Sequence, residues 1–170
     1  VQRRYRDDTL ILETDFETPS GAVTIVDCMP PRGREPDLIR MVIGRRGNVR
    51  MQMELIIRFD YGSIVPWVRS VDGGIHAIAG PDALVLETPI ELRGEHLTTV
   101  ASFEVAAGDH IPFVLTWYAS HESPPPRINP QEAIAFAESW WHEWSTQCNY
   151  EGPWRDAVMR SLITLKALTF

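Results

Sequence analysis

Carboxylates, histidines and aromatics near strand ends are the residues of this chain whose types could do chemistry. Paired acids would support acid–base catalysis, one protonating a leaving group while the other activates water. Glu132, Glu138 and Glu143 fall in a tryptophan-rich helical segment, and Glu13, Glu54 and Glu104 on the polar faces of strands. None stands in a glycine-rich loop or among aromatics at a strand end, so solvated or capping roles are expected and no catalytic pair. His76, His96, His110, His121 and His142 are dispersed, with no His-x-His. His142-Glu143 opens like the zinc motif His-Glu-x-x-His, but Thr146 holds the place of the second histidine. There is no G-x-S-x-G elbow, and Asp72-Gly73-Gly74 reads as a hairpin turn and not as a phosphate loop. No catalytic residue, metal ligand or cofactor is expected.

The aromatics are more informative. Tyr61, Trp67, Trp117 and Tyr118 lie near strand ends, where a flat ring can stack on a sugar. Tyr61 and Trp67 are the candidates for touching a ligand. The competing reading for all four is core or interface packing, since large aromatics are mostly buried.

The elements that position these residues change character along the chain. Residues 9–119 alternate apolar and polar in short runs broken by turn residues, as in an antiparallel β-sandwich or barrel of nine or ten strands. The clearest run places Val49, Met51, Met53, Leu55, Ile57 and Phe59 on one face. Leu10, Leu12, Thr14 and Phe16 share a face, with Ile11, Glu13 and Asp15 opposite. Strands are expected at 22–29, 38–43, 64–68, 75–79, 83–87, 97–105 and 111–119. Arg45-Arg46-Gly47-Asn48 is read as a turn between strands. The last two strands are read as a hairpin across Ala107-Gly108-Asp109, with Leu97, Thr99, Ala101, Phe103 and Val105 facing the core.

At Ser120 the texture shifts. Ser123-Pro124-Pro125-Pro126 predicts an extended connector. Asn129 then caps a helix with Pro130 at its first position, and Ile134, Ala137, Trp141 and Trp144 form its apolar stripe, with Phe136 and Trp140 on a second edge. After Gly152-Pro153 a second helix carries two stripes, Trp154/Val158/Leu162/Leu165 and Met159/Ile163/Ala167/Phe170. A helix apolar on two sides belongs between neighbours. The second stripe is the one expected to lack cover within this chain, which implies a missing partner and an incomplete polypeptide.

Composition narrows the class. The chain has 170 residues, 44% hydrophobic and 23% charged, with net charge −7 and pI near 5.2. This is ordinary globular usage, and the acidic balance argues against nucleic-acid or anionic-membrane partners, which need a positive field. The basic groups Arg3/Arg4/Arg6 and Arg45/Arg46 read as solvated charge at strand ends. No run reaches the roughly 20 apolar residues of a membrane-spanning helix. Cys28 and Cys148 do not make a disulfide framework and suit a reducing compartment, although one bridge between them stays open.

Several segments together resemble the N-terminal region of bacterial family 15 glycoside hydrolases, the glucoamylase and trehalase-like enzymes. They are Arg58-Phe59-Asp60-Tyr61-Gly62 with Val65-Pro66-Trp67-Val68, and Phe113-Val114-Leu115-Thr116-Trp117 leading to Ser120-His121-Glu122. The closing part adds Trp140-Trp141, Trp144, Tyr150-Glu151-Gly152-Pro153-Trp154, Arg160-Ser161-Leu162 and Leu165-Lys166-Ala167-Leu168-Thr169. The resemblance implies a mainly β chain: an antiparallel β super-sandwich, a helical linker and the first helix of an (α/α)6 barrel. The boundaries it implies are a sandwich over 1–121, a connector and linker helix over 122–150, and the start of a truncated barrel over 151–170. It also implies an inverting enzyme whose two glutamates stand downstream of this chain, on barrel loops. The family's opening aspartate–tryptophan motif is missing, so both ends are expected to be cut. The partners implied are the downstream barrel and, through it, an α-glucoside such as a maltooligosaccharide or trehalose. A bacterial cytoplasmic location is expected, and the bare second helix also points to association into a homo-oligomer. The rival reading is a stand-alone β-sandwich module that binds carbohydrate or protein.

Overall fold

A computed structural model describes residues 1–31, 33 and 35–169. It is mainly β. The strands are β1 (Gln2–Tyr5), β2 (Leu12–Thr18), β3 (Gly21–Cys28), β4 (Asp37–Leu55), β5 (Trp67–Val71), β6 (Gly74–Ala79), β7 (Asp82–Glu87), β8 (Arg93–Glu95), β9 (Thr98–Ala106) and β10 (His110–Ala119). Two helices follow, α1 (Pro130–Ser145) and α2 (Arg155–Leu168). All strand pairs are antiparallel. The larger sheet runs β1-β2-β3-β4-β10-β7-β6-β5; β8 and β9 form the second layer, β9 pairing with β4.

Arg45-Arg46-Gly47-Asn48 is not a turn. β4 continues through it for 19 residues and changes partners on the way. Its first half, ending near Ile43, lies between β3 and β10; its second half, from Asn48 to Leu55, pairs with β9. Backbones crowd at the changeover: a Cβ on Gly44 would meet the Ala106 carbonyl at 1.8 Å, and one on Gly47, at φ +65°, the Ser20 carbonyl at 2.1 Å. Only glycine fits. The expected hairpin is absent for the same reason. The turn after Ala106 carries the chain from one sheet to the other, so β9 and β10 each pair with a different half of β4 and not with each other. Leu97, assigned to the core from its alternation, instead sits at the β8–β9 turn, 71% exposed. The strand expected at 64–68 lies at Trp67–Val71, and β1 and β8 had no sequence counterpart.

The two sheets enclose a core containing Val23, Val42, Ile75, Leu86 and Phe113 from the larger layer and Val49 and Val105 from the smaller. The alternation of Val49, Met51, Met53 and Leu55 points inward as expected. The other face of the large sheet packs Val26, Cys28, Ile39, Met41 and Val114 against Ile11 and against Ile134 and Ala137 of α1. Asn129 caps α1 by accepting from the amides of Gln131 and Glu132. Glu13, read as solvated, is buried and accepts from both Arg4 and Arg6; Arg6 also bridges to Glu138 of α1 at 2.7 Å. Arg4 therefore ties β1 to β2, and Arg6 cross-links β2 to α1. Burial pushes the Cys28 thiol up to about 11, with Arg6 opposing and Glu138 adding. Both cysteines are free thiols.

The outcome for α2 reverses the expectation about its stripes. Met159 and Ile163 are 1% and 0% exposed, packed against Trp141 with Leu10, Trp140, Trp144 and Cys148 around them. The tryptophans meet edge to face, Trp140–Trp141 at 4.8 Å and Trp141–Trp144 at 5.8 Å. Arg155 pairs with Asp8 at 3.0 Å, and Arg160 donates to the Thr9 and Asp7 carbonyls and lies over the Tyr5 ring. This chain therefore covers the stripe thought to be spare, save Ala167, which is exposed, and Phe170, which lies outside the described residues. The uncovered stripe is the other one: Trp154 at 68% and Leu165 at 61%, with Leu162 and Leu168 beside them. Met159→Ala or Ile163→Ala should cost about 2–5 kcal/mol in urea unfolding of this chain, and Leu165→Ala no more than about 0.5 kcal/mol.

Candidate functional site

Beyond Leu55, β4 has no further partner and the two layers diverge. The gap is a cleft of about 380 Å³. Leu55, Ile57, Ile75 and Leu92 line its interior. One wall is the segment Val65–Val68 entering β5, and the other the turn from Arg93 to Thr99. β5 is the last strand of its sheet, so among the described residues no further strand flanks this side.

The walls end in two unusual turns. Among the described residues five non-glycine positions have positive φ, and four stand here: Asp60 (47°) and Tyr61 (53°), and His96 (47°) and Leu97 (62°). His96 and Leu97 are the two central residues of the hairpin that pairs Glu95 with Thr98. This geometry normally selects Asn-Gly or a second glycine; a tyrosine and a leucine held there carry backbone strain, a feature that gathers at ligand sites. Asp60 accepts from the Ser63 hydroxyl at 2.9 Å, and Phe59 and Ile64 close the loop by a bridge. Arg58 donates to the Ile57 carbonyl at 2.6 Å and to the Leu97 carbonyl at 3.4 Å, tying the two turns together.

The two sequence candidates separate. Trp67 lines the cleft and is 83% exposed, whereas Tyr61 is wholly exposed on the outer side of its turn and lines no part of it. Trp117 and Tyr118 are structural: Trp117 donates to Asp82 at 2.8 Å, and Tyr118 is buried. The sequence reading passed over Arg58, Glu95 and His96 as site residues. Their only signal was position beside turns, and His96-Leu97 lacks the glycine that would have marked a tight turn. Among the described residues, no group of three or more His, Cys, Asp or Glu is placed to hold a metal ion, and no helix is long and apolar enough to cross a membrane.

Outside the cleft, His76 and Tyr118 form a buried pair with their polar atoms 3.3 Å apart and their rings edge to face. Burial, then the nearby Arg69, holds His76 below its ordinary 6.5. Burial, opposed by Arg69, raises Tyr118, so the phenol keeps its proton beside the imidazole. Neither lines the cleft.

No family model matches the chain. It is 28% identical over 198 aligned positions to a trehalase of Mycobacterium tuberculosis, and 27% identical over 196 to a trehalase of Mycolicibacterium smegmatis. Both alignments take in 99% of this chain and 29% of the relative, so the chain spans under a third of the length of the curated relatives it matches.

The histidine pair makes stability depend on pH with a definite sign. Just below 6.5 the unfolded chain takes up a proton that folded His76 refuses. The stabilisation is thus complete above that value and lost as pH falls toward the lower folded pKa. Urea midpoints should hold from about pH 8 to about pH 6.5 and decline below it, and the decline should be shallower in His76→Gln; an unchanged slope would remove the pair from the account.

Proposed function

We propose that this chain is the non-catalytic β-sandwich and linker part of an inverting, family 15-like glycoside hydrolase that cleaves α-glucosidic bonds, with trehalose or maltooligosaccharides as substrates. The similarity to two trehalases over 99% of the chain but only 29% of their length carries the reading. In it, residues 1–121 form the sandwich, 122–150 the connector and linker helix, and 151–170 the entry into an (α/α)6 barrel that supplies both catalytic carboxylates. The uncovered α2 stripe supports this arrangement, since Trp154, Leu162, Leu165 and Leu168 present a continuous apolar edge to whatever packs next. Burial of such side chains stabilises by roughly 1.5–3 kcal/mol each, which is ample to fix a second body in place.

The part of the sandwich that reaches toward substrate is the loop from Asp60 to Trp67, with Tyr61 as its outward tip. Its side chain stands free of the rest of this chain, as an aromatic does when its contact lies on another body.

The natural full-length enzyme should hydrolyse trehalose or maltose with inversion, and the 170-residue chain by itself should release no glucose. Glucose release by this chain alone, or a full-length protein inert on both sugars, would overturn the reading. Tyr61→Ala in the active enzyme should raise KM severalfold with kcat little changed. Leu165→Asp should lower the melting temperature of the full-length protein by several degrees while leaving that of the isolated chain unmoved.

A further inference from the structure

We propose that the cleft between Trp67 and the β8–β9 turn binds one or two glucose units of an α-glucoside. The choice of sugar rests on the hydrolase reading above; the existence of a ligand site rests on the cleft itself. Four features of the cleft point the same way.

The first is size. About 380 Å³ lies at the lower end of the roughly 300–1,000 Å³ of small-molecule sites, so it suits one or two rings and not the interior of a polymer. The second is the distribution of polarity. The floor, with Leu55, Ile57 and Ile75, is apolar, while Arg58, Glu95 and His96 stand at the rim. A pyranose has the matching division, with C–H faces that lie on apolar or aromatic surface and hydroxyls around its edge that both donate and accept. The third is the state of the rim groups. Among the described residues neither the Glu95 nor the His96 side chain has a hydrogen-bond or ion-pair partner. Arg58 spends its bonds on two carbonyls and has further N–H donors. Glu95 accepts, Arg58 donates, and His96 can do either, which covers what a hydroxyl offers. Both charge signs are present, which favours a neutral ligand over an anion or a cation.

The fourth is pre-organisation. Strained turns bound both walls, and Arg58 ties them to each other, so the shape is built before a ligand arrives. Trp67 is the platform: at 83% exposed it contributes little to the core, yet it lines the cleft, with its backbone paired to Ile78 of β6.

The test is two-dimensional NMR of the 170-residue chain titrated with maltose, trehalose and cellobiose. Maltose or trehalose should shift the amides of residues 67–70 and 93–99 saturably, at millimolar sugar. Trp67→Ala should weaken binding about tenfold, the scale of a lost ring contact, with its melting temperature unchanged because the side chain is exposed. His96→Ala should weaken it severalfold. Trp154→Ala, which removes an exposed tryptophan far along the sequence at the N-cap of α2, should leave it unaltered. No saturable shift with any of the sugars, shifts confined to the helices, or full affinity in Trp67→Ala would overturn the site. Cellobiose binding as tightly as maltose would overturn the α-glucoside assignment. Binding by the chain combined with an inert full-length protein would leave the site standing and remove the hydrolase reading; hydrolysis without binding here would do the reverse.

Discussion

One strand belongs to both layers of this protein, and that sharing governs the rest. β4 donates its first half to the large sheet and its second half to the small one, so the two layers are joined through a covalent backbone as well as through side chains. The changeover works only because Gly44 and Gly47 let other backbones come closer than any Cβ would permit. Once β4 has crossed, β9 and β10 must follow it into separate sheets, and the inward positions of the small sheet are set against those of the large one. The strict period of two along Val49, Met51, Met53 and Leu55 then faces Phe113 and Val42 across the core. The cleft is a by-product of the same path, opening where β4 ends and the layers lose their common strand.

The second organising feature is the use of charge at the opposite face. Arg6 joins Glu13 of β2 to Glu138 of α1, within reach of the buried Cys28. Because Glu13 is nearly enclosed, its partners satisfy it and do not merely decorate the surface. Removing one of them would leave a carboxylate poorly solvated, which is where the cost of a buried pair resides. These contacts, with Ile134 and Ala137 beneath, hold α1 in one orientation on the sheet, and the tryptophans of α1 then give α2 its seat.

Much of this architecture was legible in the residues, and the misreadings have physical causes. The run from Val49 to Leu55 was readable because alternation directly encodes one wet and one dry face, although the strand stops there and does not continue to Phe59. The cap at Asn129 with Pro130 was readable because those residues satisfy a helix start chemically. The changeover in β4 was not, since Arg-Arg-Gly-Asn is equally good turn chemistry and only the neighbours of Gly44 and Gly47 show that the chain runs on. Ala107-Gly108-Asp109 is a competent turn as well; local composition does not reveal that its two flanking strands part company. The two stripes of α2 are equally apolar in sequence, and choosing between them required knowing where Trp141 and Leu10 lie. At the cleft, the residue type of Trp67 singled it out and the structure places it on the lining, but His96-Leu97 adopts a backbone that its residue types disfavour, so no propensity pointed there.

The grip on α2 has a mechanical consequence. Arg155 and Arg160 grasp the short segment Asp7–Thr9, and Met159 and Ile163 are wedged beneath, so the helix cannot roll or slide without breaking several contacts together. Its 14 residues form a rigid rod of roughly 21 Å. Pivoted at its clasped base, such a rod converts a 5° tilt into a displacement of about 2 Å at its far end, given that length. Small movements of the N-terminal strands would thus arrive magnified, and in a fixed direction, at anything fastened to the helix tip.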